Sequence, residues 1–122
     1  MANKMDIRFL LMQIFPDVSE RAVYEGMKYI RLRYKLNEEA VVTMLFAEYQ
    51  SQRDKVSPRY AVYDRKYMPG EANLRRARFI TNVKTSKISE REHIRHFDFT
   101  MEGQSALNDI YRYFEGCIKS GY

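Results

Sequence analysis

Cysteine, proline, glycine and histidine are all scarce in this 122-residue chain, which has one Cys, three Pro, five scattered Gly and two His. A single cysteine excludes an internal disulfide and a cysteine-built zinc site. Cys117 falls in an apolar helical stripe and reads as a small buried hydrophobe. The scattered glycines leave no Gly-rich phosphate loop, and there is neither a Ser/His/Asp order nor a nucleophile elbow, so an enzyme is not expected. His93 and His96 stand three apart in a strand-like segment, on opposite faces, with no Cys or carboxylate spacing to complete a metal site. They read as surface or wing-base histidines, and no metal or cofactor is expected. Long apolar runs are missing too: nothing approaches the roughly 20 residues that span a bilayer, and the first residues lack the pattern of a secretory signal. The expectation is a soluble, cytoplasmic protein with no membrane partner.

What is present is an adequate apolar fraction and an uneven charge. Hydrophobic residues make up 45% of the chain, enough for a small core. The formal charge is +5, yet residues 51–96 hold 12 Lys and Arg against 5 Asp and Glu, a net of +7, so the remainder is near −2. A local basic excess of this kind is the footprint of a nucleic-acid face.

Apolar spacing predicts a mainly helical chain with one small hairpin. Ile7, Leu10, Leu11 and Ile14 recur as in a helix from Met5 to Phe15, which Pro16 stops. Asp17 or Ser19 caps a second helix carrying Val23, Met27, Ile30 and Tyr34. Asn37 caps a third, with Glu38 and Glu39 at its positive end and Val41, Met44, Leu45 and Tyr49 facing inward. Ser57-Pro58 reads as the start of a fourth helix reaching Tyr67, with Tyr60, Tyr63 and Tyr67 on one side. Pro69-Gly70 breaks it before a short helix over Glu71 to Ala77.

Two strands follow. Phe79, Thr81 and Val83 are expected to share one face, and His93, Arg95, Phe97 and Phe99 another, with the polar KTSKISERE between them as an exposed tip. From Glu102 the residues Leu107, Ile110, Tyr111, Phe114 and Ile118 return to helical spacing.

Four stretches together, LNEEAVVTMLFAE, VSPRYAVYDRKY, NLRRARFIT and FTMEG, resemble the winged helix-turn-helix regulators of the MarR type and the staphylococcal accessory regulators. The last resembles the Leu-Thr-x-x-Gly that closes the second wing strand and opens the dimerisation helix, where Thr ends the strand and caps the helix. The nearest equivalent of that family's wing Asp-x-Arg is Glu90-Arg91, displaced by a residue or two.

The resemblance implies an α+β winged helix over residues 1–122. It has N-terminal helices over 1–35, the helix-turn-helix and wing over 36–100, and a C-terminal helix over 101–122. It further implies a homodimer that binds double-stranded DNA as a transcriptional regulator or a plasmid or phage accessory protein. Asn73, Arg75 and Arg76 would read bases from the recognition helix, with Arg78 beside them. Arg59 and Lys66 would hold phosphates from the preceding helix, and Lys84, Lys87 and Arg91 would reach from the wing. Leu107, Ile110, Tyr111, Phe114 and Ile118 would form the dimer seam, because so short a chain was expected to have too little interior to bury both terminal helices. A different class of protein fits the same sequence. Aromatic and methionine-rich surfaces suit a small helical module that docks on a protein partner without binding DNA.

Overall fold

The computed structural model describes residues 7–63 and 69–121. Three helices come first: α1 (Ile7–Ile14), α2 (Glu20–Tyr34) and α3 (Glu38–Asp54). Ser19 caps α2, its side chain accepting from Ala22 N–H, and Asn37 caps α3 by accepting from Ala40 N–H. Both helices end on a lysine in the left-handed region, Lys35 and Lys55, whose N–H groups satisfy late carbonyls of the helix.

Helix α3 is the centre of the molecule. Ala40 to Leu45 and Ala47 are all buried, wider than the single stripe its spacing suggests, because α1, α4 and β1 enclose it on several sides.

After α3 the chain departs from expectation. Arg59–Tyr63 is a strand, β1, and not the first helix of a helix-turn-helix pair. The Pro58 carbonyl accepts from Phe97 N–H, drawing the chain alongside a neighbouring strand. Tyr60 is then inward and Arg59 and Ala61 are more exposed, a period of two that the tyrosine spacing concealed. Tyr67, the third member of that expected tyrosine face, lies outside the described residues. Helix α4 spans Pro69–Arg76, so Pro69 and Gly70 open it instead of breaking the chain before it.

The strands β2 (Ile80–Lys87) and β3 (Glu92–Phe99) complete a three-stranded antiparallel sheet of order β1-β3-β2. The hairpin is longer than its composition suggests, since Lys84 to Lys87 are paired in the ladder and only residues 88–91 form the tip. Thr81 pairs with Asp98 and Lys84 with His96, so Asn82 and Val83 together oppose Phe97 in a bulge, with Asn82 at φ 55°. The bulge separates Thr81, which is exposed, from Val83, which packs on the core, so the two do not share a face.

Helix α5 (Met101–Lys119) returns along α2. Leu107, Ile110 and Phe114 are almost wholly buried within the chain, and Tyr111 and Ile118 partly so. The stripe expected to pair with a second copy is therefore core, closed by Phe15 against Tyr111 and Phe114 at ring separations of 5.2 and 5.4 Å. Leu107, Ile110 and Phe114 are thus taken up within one copy, because α2 supplies a second apolar face that the length argument left out. Cys117 is half-buried, and burial pushes its thiol upward from the usual range.

Candidate nucleic-acid interface

The chain immobilises α4 from every inward direction. At its start, a Cβ on Gly70 would lie 2.4 Å from the Glu39 carbonyl oxygen, so only glycine allows α4 to rest directly on the backbone of α3. The next residue, Glu71, is buried and meets three side chains from the sheet and helix. It accepts hydrogen bonds from Tyr60 Oη and from Arg95, whose Nε lies 3.0 Å from Oε2 while Nη2 reaches Oε1. Arg75 Nη1 lies 3.9 Å from the same carboxylate. Arg95 also donates from Nη1 to Thr85 Oγ1 at 2.5 Å, which ties β2 into the network. A two-pronged Arg–carboxylate pair of this kind is directional as well as attractive, so it fixes the rotation of α4 against the sheet.

Asn73, expected to read a base, is turned inward. Its Oδ1 accepts from Asn37 N–H at 2.7 Å and its Nδ2 donates to Lys35 O at 3.4 Å, so the side chain joins α4 to the α2–α3 link. Leu74 is fully buried beside it. The residues left exposed are Ala72, Arg75 and Arg76, at i, i+3 and i+4 on one outward face.

The corner after α4 is equally fixed. Arg78 is exposed and takes a left-handed φ of 62°. Its carbonyl accepts from Thr100 Oγ1 at 2.5 Å, while Thr100 N–H donates to Phe79 O and Thr100 Oγ1 accepts from Gly103 N–H. A Cβ at Gly103 would lie 2.0 Å from the Phe79 carbonyl oxygen. The FTMEG stretch thus locks the start of α5 onto the corner joining α4 and β2.

The hairpin has two faces with different contents. Thr85 points inward to Arg95, so Lys87, two residues on and directly opposite His93, lies on the side facing α4. Arg91 is exposed at the tip. Lys84 lies on the other side, next to His96, and so does Arg59, which is ion-paired to Asp54 at 3.4 Å and stands on a strand, not on a helix. Of the nine residues expected to meet DNA, Arg75, Arg76, Arg78, Lys87 and Arg91 fall around α4 and the hairpin end, Arg59 and Lys84 face away, and Asn73 is structural. Lys66 lies outside the described residues.

Sequence reading missed Glu71 and Arg95. Arg95 gave a signal, since a charge in the inward register of a strand between His93 and Phe97 demands a buried partner. Nothing in the spacing identified Glu71 as that partner. His93, expected at the surface or the wing base, is buried, and its Nδ1 has no hydrogen-bond partner among the described residues. Among the described residues no group of three His, Cys, Asp or Glu side chains is placed to hold a metal ion, and no helix is long and apolar enough to cross a membrane.

Compared with known proteins, the chain matches no family model, no curated protein and no solved structure. The local geometry alone therefore carries the functional argument.

Proposed function

We propose that the chain is a double-stranded DNA-binding protein of winged-helix type, with α4 as the helix that enters the major groove and the β2–β3 hairpin as the wing. The observation that carries this reading is the division of labour along α4. Gly70, Glu71, Asn73 and Leu74 are committed to α3, the sheet and the core, while Arg75 and Arg76 project outward. A helix fixed in rotation can present two arginines at constant register to a groove, where the guanidinium fork pairs with guanine O6 and N7. Lys87 and Arg91 extend the same side toward the hairpin end and suit the flanking backbone. A β1-β3-β2 sheet flanking α4 is compatible with a winged helix. The departure from the helix-turn-helix form is β1, which stands where the first helix of that pair was expected. A regulatory or accessory role on plasmid or phage DNA is the use such a fold would serve.

Fluorescence anisotropy with a preferred duplex tests the assignment. Arg75→Ala and Arg76→Ala should each weaken binding by about 1 to 3 kcal/mol and blur base preference, whereas Lys87→Ala should weaken all duplexes alike. If all three variants bind as the parent does, α4 is not the reading helix.

A further inference from the structure

We propose that the outer face of the sheet, turned away from α4, carries a second site for the phosphate backbone of duplex DNA, formed by Arg59, His96 and Lys84. The proposal rests on the DNA-binding reading of the α4 side.

His96 is the Cα partner of Arg59 on β1 and of Lys84 on β2, so the three residues form one row across all three strands. Directly opposed residues of antiparallel strands project to the same face. The neighbouring row, Tyr60, Arg95 and Thr85, is joined to Glu71 on the α4 side, so the basic row must point the other way. With strands about 4.8 Å apart the row is about 10 Å wide, enough to follow neighbouring phosphates of one strand.

The bulge at Asn82 and Val83 makes this arrangement. Strict alternation from the buried Ile80 would turn Lys84 inward, and the extra residue turns it outward while sending Thr85 to Arg95. The side chains of Lys84 and His96 make no hydrogen bond or ion pair with a described residue, and an imidazole offers a ring N–H donor in either tautomer.

Among the described residues the acidic groups on this side are Asp54, Asp98 and Glu92. Asp54 is shared between Arg53 at 3.1 Å and Arg59 at 3.4 Å, and Asp98 accepts from Asn82 Nδ2 at 3.0 Å. Glu92 lies four rows away, toward the hairpin tip. Ser57, Asn82, Phe97 and Asp98 line the shallow depression beside Lys84 and His96; Ser57 and Asn82 offer donors to a phosphate oxygen, while the Asp98 carboxylate there is held by Asn82. Because the row and the α4 arginines lie on opposite sides of one sheet, a short straight duplex held by α4 does not reach the row. The chain would hold a second segment there.

Duplex capture reads this directly. An immobilised duplex of about 15 base pairs, roughly 50 Å long, is loaded with the full chain and then offered a second, labelled duplex of the same length. The parent should retain the second duplex. Lys84→Gln combined with His96→Gln should reduce that retention at least about tenfold while leaving loading on the first duplex within about twofold. Retention unchanged in the double variant would overturn the second site, since the bridge would then come from another surface or from self-association. A parent that loads on the first duplex but retains no second one overturns the second site alone. Failure to load on any duplex overturns the DNA-binding reading and the second site with it.

Discussion

Glu71 and Arg95 form a polar pair inside the fold. Both are buried, and their union joins α4 to the middle strand of the sheet. Burying a charge costs free energy that only its partner offsets, so removing one member strands the other. Glu71→Ala should destabilise the chain by about 3 to 5 kcal/mol in urea unfolding, and replacing Glu71 and Arg95 together with Met should cost less than the sum of the single changes.

A second polar cluster responds to pH. Asp109 on α5 accepts from Tyr34 Oη at 2.5 Å and Tyr29 Oη at 2.7 Å, with Arg33 Nε at 3.5 Å. These bonds, Tyr34 first, hold its carboxyl below the ordinary range although burial acts the other way. A depressed folded value means the contribution is complete above the unfolded pKa of about 3.9 and is lost as pH falls through the folded value. Asp109→Asn should therefore cost about 1 kcal/mol at neutral pH, and the difference from the parent should shrink on acidification below about pH 4. A constant difference from pH 7 to pH 2 would contradict this role.

Among the elements, helices with long apolar stripes and capping residues were legible in the sequence. Asn37, Glu38 and Glu39 mark the start of α3, and the Thr100 cap of α5 was readable from FTMEG. The shared face of His93, Arg95 and Phe97 on β3 was readable too, because alternation is local, but the burial of His93 was not. Strand β1 was not, since RYAVY places its tyrosines at i and i+3 as a helix would, and its pairing with β3 joins residues 29 to 37 positions apart. The bulge escaped for the same reason: its register depends on what Phe97 opposes. At the site, Arg75 and Arg76 were legible as basic residues on a short helix, but the inward turn of Asn73 depends on the distant Asn37 backbone.

The corner around Gly103 gives the element-scale test. Since a Cβ there would overlap the Phe79 carbonyl, the start of α5 must shift away from the α4–β2 corner on substitution. Gly103→Ala should cost at least about 2 kcal/mol of stability, while Gly116→Ala, at a position with open space, should leave stability unchanged or slightly raise it. Equal effects at the two positions would remove the close-approach explanation of FTMEG.

Over the whole molecule, the inward apolar stripe of each terminal helix is taken up by the fold. With Leu107, Ile110 and Phe114 inside, the apolar groups left on the surface include Phe9 and Met12 on α1, Leu32 on α2 and Met101 at the start of α5. Phe9 and Met12 share one side of α1, at 58% and 53% exposure, and would be the part of the surface that suits an apolar protein partner in place of DNA. The two readings differ in their dependence on salt. Backbone contacts by Lys and Arg release counterions, and each neutralised phosphate adds about −0.9 to the slope of log K against log salt, whereas an apolar interface adds almost nothing. The most direct measurement is an anisotropy titration of the unmodified chain on a random duplex between about 50 and 200 mM salt. Five cations around α4 and the hairpin, Arg75, Arg76, Arg78, Lys87 and Arg91, predict a slope of about −4 to −5. Absence of binding at about 50 mM salt, or binding whose affinity is the same at both ends of that range, would contradict the account.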